Sequence, residues 1–239
     1  MSVAADGGSL VQQAVNAVRG HIRDNHLKVG DTLPGEGHFA AELGVSRAVM
    51  REAFGALAAL KLLDVANGRR ARVGAMDGGA IAASLDHAVM TSQIGVADVW
   101  EVRRTVELRI VALAAERRSD AQAERIVALA HALEADAGDM ARTIEHDILF
   151  HQTIAEAAGN ALFAQIVRSF APLMAVAVPT AWRTRITESD RRSTIDHHHA
   201  VARAIADRNP AAATAAMEDH FHASIGRILV SDDPVATPV

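Results

Sequence analysis

A chain of 239 residues that is half apolar and 22% charged has room for two ordinary domains with buried cores. It has no Cys, which excludes disulfides, thiol catalysis and thiolate metal sites, and aromatics of only 3% beside abundant Ala point to helices rather than a β-sandwich. The formal charge of −5 is segregated: residues 1–75 carry 9 Lys and Arg against 7 Asp and Glu, a net of +2, and the remainder carries 15 against 22, a net of −7, which permits a nucleic-acid-contacting head on an acidic body.

The first ten residues show no basic stretch ahead of an apolar run. No apolar stretch is long enough to span a bilayer, so a cytoplasmic protein without membrane contact is expected. Helical periodicity starts at about Leu10 and runs to Asn25, with Val11, Val15, Val18 and Ile22 as its apolar stripe. Leu27 to Pro34 reads as a connection, with Gly30-Asp31 as turn chemistry. Glu36 to Leu43 is a short helix closed by Gly44. Ser46 then caps a third helix running to about Leu60, with Met50, Ala53, Phe54, Leu57 and Leu60 on its apolar face. Leu62–Ala66 and Ala71–Val73 read as two short strands around Asn67-Gly68-Arg69-Arg70. Gly74 to Gly79 is the best linker. Beyond Ala80 only helical periodicity appears, over about 80–91, 96–118, 120–136, 139–158, 161–178, 188–207 and 211–230. Gly138, Gly159-Asn160, Pro179 and Asn209-Pro210 act as breakers, and the tail from Ser231 is expected to fray. The fold class is therefore mainly α: a winged helix-turn-helix over 1–75 (three helices plus a two-stranded wing), a linker and connecting helix over 76–95, an antiparallel bundle of six to seven helices over 96–230, and a tail over 231–239.

Three short helices followed by a hairpin fit DNA because the third helix enters the major groove while the first two brace it. Arg47 and Arg51, four residues apart, share one exposed face of that helix. Their guanidinium groups suit guanine edges or phosphate, and Arg69, Arg70 and Arg72 would reach flanking phosphates or the minor groove. On spacing alone, a solvated helix face explains the two arginines equally well. The run Leu33-Pro34-Gly35-Glu36, Ala40-Ala41-Glu42-Leu43-Gly44-Val45-Ser46-Arg47, Arg51-Glu52-Ala53 resembles the signature of GntR-type transcription regulators. The resemblance implies operator contacts at Ser46, Arg47, Arg51, Gly68 and Arg69. Two positions depart from the pattern. Gly37 stands where the family usually has an Arg, leaving His38 or the extra wing arginines to substitute, and Ala71-Arg72-Val73 stands where the wing usually ends Gly-Thr-x-Val.

In the C-terminal region four polar residues interrupt apolar stripes. Asp147 and His151 lie among Ile144, Ile148, Ile154, Ala155 and Ala158. His198 lies among Ile195, Val201, Ala202 and Ile205, and His220 lies among Met217, Phe221 and Ile228. A buried carboxylate and buried imidazoles are costly unless paired or ligated. A single inward His is ordinarily a hydrogen-bonded core residue; four such groups on three helices suit Zn²⁺ or a similar divalent ion, with positions left for water or an effector. His197 and His199 project about 100° to either side of His198 on an ideal helix and read as flanking residues, and His222 reads as surface. Asp147-x-x-Phe150-His151, Gly159-Asn160, His198 and Met217-x-x-His220 are similar to the FCD domain of the FadR subgroup of GntR regulators. That resemblance spans about 96–228 and implies metal ligation by Asp147, His151, His198 and His220, with a carboxylate effector against the metal. Glu101-x-Arg103-x-x-x-Glu107 matches the opening of the same domain and makes Arg103 the candidate carboxylate clamp, with a surface salt bridge to Glu107 as the competing reading. Asn160 reads as a helix cap.

The combined expectation is a metabolite-responsive regulator, in the main a repressor, acting as a homodimer on an inverted-repeat operator. Its effector would be a small carboxylate such as a sugar acid or dicarboxylate. The alternative is a metal-dependent hydrolase of the helical class using an open His₃Asp site to activate water, against which no motif supplies a separate base or nucleophile. A third reading makes the metal a purely structural staple of the bundle.

Overall fold

A computed structural model describes residues 9–183 and 187–225. It contains two compact units that divide between Ala80 and Ile81. The last turns expected up to Val230, with Ile228 and the tail from Ser231, lie outside the described residues.

The N-terminal unit comprises α1 (Leu10–Asp24), α2 (Glu36–Leu43), α3 (Arg47–Ala59), β1 (Leu63–Asp64) and β2 (Arg72–Val73). Two serines start its helices by supplying an acceptor to a first-turn amide. Ser9 Oγ accepts from Gln12 N–H at 3.2 Å and Ser46 Oγ from Val49 N–H at 3.2 Å. Gly44 ends α2 with φ of 65°, a left-handed conformation open to a residue without Cβ. The three helices close on Val18, Leu33, Phe39, Met50, Phe54 and Leu57, joined by Leu63 and Ala71 from the hairpin. The strands run antiparallel, with Leu63 opposite Val73 and Asp64 opposite Arg72.

Three expectations for this unit change. Leu60 does not join the apolar face: α3 ends at Ala59 and Leu60 is 56% exposed, because Lys61 turns left-handed and the Leu62 N–H closes back on Leu57 O at 2.9 Å. The segment read as a plain connection pairs with the wing, since Thr32 bridges Arg72 and the Leu33 N–H donates to Ala71 O at 2.9 Å. Gly74 is not free linker but the base of the wing. Its N–H donates to Leu62 O, and an added Cβ would lie 2.2 Å from the Lys61 carbonyl oxygen.

The division falls in the first turn of α4 (Gly79–Met90), and beyond it lie α5 (Val96–Arg117), α6 (Asp120–Ala135), α7 (Met140–Ala157), α8 (Ala161–Ser169), α9 (Ala171–Arg183), α10 (Glu188–Ala206) and α11 (Pro210–Ile225). Helix α10 packs on α11, α6 and α5, and α5 also packs on α11 and α7. Their shared core is built from Ile110, Val111, Ile126, Phe150, Ile154, Val201, Ile205, Met217 and Phe221. The single helix expected over 161–178 is two helices bent by 47°. The break falls at Phe170, where Ser169 Oγ donates to Ile166 O at 2.6 Å and competes with the helical ladder. Pro179, read as a breaker, is inside α9. Asn160 caps α8, its Oδ1 accepting from Leu162 N–H at 3.0 Å. No single helix among the described residues is long and apolar enough to cross a membrane.

Candidate functional site

In the N-terminal unit the candidate DNA-contacting residues all lie on the surface. Ser46 serves as N-cap, which leaves the start of α3 and the exposed Arg47 and Arg51 facing solvent. Arg51 approaches Glu36 at 3.9 Å, an exposed contact of little energy. Arg47 lies over Gly37: a Cβ added there would meet its Nη2 at 3.0 Å. The missing side chain at 37 is thus the space the Arg47 guanidinium uses. At the wing tip Gly68 has φ of 76°, and Arg70 and Arg72 are exposed. Arg69 is engaged differently from expectation, forking both oxygens of Asp64 at 2.8 Å. His38, a suggested substitute contact, is exposed beside Glu42.

In the C-terminal unit, α7, α10 and α11 bring His151, His198 and His220 together, at 2%, 3% and 5% exposure. One ring nitrogen from each lies within 4.8 Å of those of the other two. Asp147, one turn before His151, reaches the cluster at His198, its Oδ1 lying 3.1 Å from His198 Nε2. The neighbours of each ring decide which nitrogen faces inward. His198 Nδ1 must carry a proton, because it donates to the Thr194 carbonyl at 2.8 Å. In a neutral ring Nε2 is then a bare lone pair opposite a carboxylate oxygen, a contact that needs a proton or a cation between the two. His151 Nδ1 donates to Glu107 Oε2, which leaves His151 Nε2 buried with no hydrogen-bond partner among the described residues. Such an orphan is expensive unless ligated. A carboxylate behind His151 and a carbonyl behind His198 are the arrangement that orients metal-binding histidines. Edges of about 2.9–3.4 Å follow from zinc–ligand bonds of about 2.0–2.1 Å, so the 3.1 Å between His198 Nε2 and Asp147 Oδ1 suits two ligands of one ion.

Charge states favour the same use. Burial, reinforced by the charges of His198 and His151, holds the His220 pKa well below the ordinary histidine value. The ring therefore stays neutral, the form in which an imidazole ligates a metal. Burial pushes Asp147 upward, but the His198 hydrogen bond and the His151 charge outweigh it and hold the carboxyl well below the usual range. Glu107 is also held low: burial acts against it, while Arg103 and His151 more than compensate.

Glu107 is the residue sequence reasoning missed. Beyond its place in the Glu101-x-Arg103-x-x-x-Glu107 motif, the sequence gives it no role but a surface salt bridge to Arg103, yet it is 1% exposed and links Arg103 Nε, at 2.5 Å, to His151 Nδ1. The signal was available, since Arg103 and Glu107 fall in the buried stripe of α5 with Ile110, Val111 and Ala114. Arg103 both pairs with Glu107 and lines the cavity, with its guanidinium 5.0 Å from the Trp100 ring and 5.5 Å from Phe221. The pair is buried rather than on the surface. The cavity, about 550 Å³ with its mouth included, is bounded by Trp100, Arg103, Trp182, Thr143 and the four polar residues of the cluster. It offers the Arg103 guanidinium and indole rings to a small anion, while the Thr143 and Thr194 hydroxyls already donate to backbone carbonyls.

Residues 10–73 match the family described as bacterial regulatory proteins, gntR family, and residues 98–223 match the FCD domain. The chain belongs to the GntR family, in its FCD-bearing, FadR-like subgroup. The HTH-type transcriptional repressor NanR of Citrobacter rodentium is 32% identical over 207 residues, which cover 84% of this chain and 78% of that protein. NanR of Cronobacter sakazakii is 29% identical over 204 residues with the same coverage. A solved GntR protein of Streptococcus agalactiae aligns with a TM-score of 0.64 at 27% identity, over 89% of this chain and 97% of that one. This GntR protein is accordingly a DNA-binding transcription regulator and not an enzyme, and the hydrolase alternative is set aside. Its departures from the family pattern have structural counterparts: Gly37 admits Arg47, and buried Ala71 supplies the carbonyl that holds Leu33 beside the wing.

Proposed function

We propose that this GntR protein is a homodimeric repressor whose operator affinity is set by a small carboxylate bound beside a divalent metal, most simply Zn²⁺. Asp147, His151, His198 and His220 would hold the metal, and Arg103 would clamp the carboxylate. The observation that carries the reading is the buried His151 Nε2, which has no hydrogen-bond partner among the described residues. It faces a cluster in which His198 and Asp147 already present two acceptors to one point. The bound ion would supply positive charge against which an acid can rest in a buried site. Arg103, fixed by Glu107, gives a second charge on the same cavity, a pairing that selects carboxylates among small metabolites. Repression follows from the NanR relatives, which are named repressors.

Ser46, Arg47, Arg51, Gly68 and Arg69 would meet the operator, α3 in the major groove and the wing alongside. A two-fold dimer then reads an inverted repeat, and the effector acts by binding one arrangement of the heads better than the other. Such a protein works in the cytoplasm, where the chromosome is. The test is calorimetric titration of a panel of sugar acids and dicarboxylates into metal-loaded and chelated protein, paired with operator gel shifts. Binding by the loaded protein that vanishes on chelation or in Asp147→Ala is the expected result. Equal affinity in the metal-free protein overturns the assignment. A loss of thermal stability on chelation with no acid bound at all would make the metal a structural staple instead.

A further inference from the structure

The three consecutive histidines of α10 do not share one task. His198 points into the buried cluster, whereas His199, about 100° further round the helix, meets α6 at the surface. Its Nε2 lies 3.1 Å from Glu134 Oε2, and its ring centroid lies 4.8 Å from that of His131. His131 and Glu134 are three residues apart on α6, and His131 Nδ1 is 4.0 Å from the same Oε2. One ligand-capable atom from each of the three residues falls within 4.8 Å of the others.

We propose that His131, Glu134 and His199 form a second, solvent-facing site for a first-row divalent cation such as Zn²⁺ or Ni²⁺. Two imidazole nitrogens and one carboxylate oxygen make a donor set these ions favour, and water completes the coordination. The His199 side chain is only 17% exposed and acts as the fixed leg, while His131 at 66% and Glu134 at 57% are the mobile ones. Closing from 4.8 Å to the roughly 3.3 Å edge of a zinc polyhedron needs only rotamer adjustment of two exposed side chains. The ion would tie α6 to α10, the helix that also carries His198. Because the mobile legs lose rotamer freedom on binding, this site is the weaker of the two.

The test is Zn²⁺ titration of chelator-stripped full-length protein against a chromogenic zinc indicator. Wild type is expected to take two equivalents, and His131→Ala and Glu134→Gln one each, the retained ion being the tighter. His151→Ala is expected to lose the tight ion and keep the weak one. If the buried cluster takes no ion, wild type binds one and His131→Ala none, which still upholds the surface site. Wild type and His131→Ala binding the same number of ions with the same affinities would overturn it and leave His199–Glu134 as an ordinary surface ion pair.

Discussion

His198 Nε2 lies 3.1 Å from Asp147 Oδ1 while the other ring nitrogen of His198 donates to the Thr194 carbonyl. Two acceptors face each other unless a proton or a cation intervenes. A proton that bridges the two in the metal-free protein must leave when a metal ion takes its place between them. Zinc binding in weakly buffered solution should therefore acidify the medium, and Asp147→Asn should abolish most of the release together with tight binding. Zinc uptake with no proton release, followed by pH indicator, would contradict the ligand pair.

Glu107 orients His151 from behind, so its removal should act on metal affinity without touching the ion. Glu107→Gln is expected to weaken zinc binding by about 10–100-fold, the usual cost of losing an outer partner of a ligating His. Competition with a chelator of known affinity measures it. The same variant leaves Arg103 with a neutral partner, and a carboxylate effector should then bind with altered affinity even at saturating zinc. An unchanged zinc affinity would make Glu107 a packing residue only.

The metal-free protein should be acid-sensitive. His220 is depressed below its ordinary value by burial first and by neighbouring charge second, so the unfolded chain takes up the proton before the folded one. Stability is full above about pH 6.5, the ordinary histidine value, and declines as pH falls from there. Asp147 and Glu107, both also depressed in the folded state, carry the decline into the acidic range. Urea midpoints of chelated protein should drop between pH 7 and 5, and less steeply in His220→Gln. A midpoint independent of pH would show that the cluster does not titrate as described.

Much of this site was legible because polar residues at core positions of an amphipathic helix stand out. Asp147, His151, His198 and His220 each interrupt a 3.6-residue stripe, and the structure buries all four. Glu107 interrupts a stripe in the same way, but Arg103 four residues before it is an evident partner, and a surface pair accounts for it without any need for a core. The wing was legible from Asn67-Gly68, whereas the bridge from Thr32 was not, since isolated pairing leaves no alternation to read. The break at Phe170 was equally silent: Ser169 and Phe170 both fit a helix, and the bend needs the Ser169 Oγ bond to Ile166 O together with the packing of Phe170 beside Val99 and Met174.

In the wing, Arg69 is held by both oxygens of Asp64. Exposed pairs of this kind contribute about 0–1 kcal/mol to stability, so breaking one leaves the fold intact. Asp64→Ala should free the guanidinium and remove a negative charge facing DNA. Operator affinity is expected to rise at low salt, with the slope of log K against log salt steeper by about one phosphate contact. Fluorescence anisotropy across a salt series decides it; an unchanged slope would mean that Arg69 already leaves Asp64 when DNA arrives.

The Arg47 guanidinium rests where position 37 lacks a side chain, within 3.0 Å of a Cβ built there. Arg47→Ala should cost about 1–3 kcal/mol of operator affinity if the residue reads a base. Gly37→Leu fills the same space and should move the guanidinium, losing part of that affinity while the melting temperature stays put, because the displaced group is the end of a flexible exposed side chain. If the two effects share one cause, the double variant binds no worse than Arg47→Ala alone, a coupling that a double-mutant cycle isolates. Additive losses would instead place Gly37 in direct contact with DNA backbone, with Arg47 reading the operator independently of it.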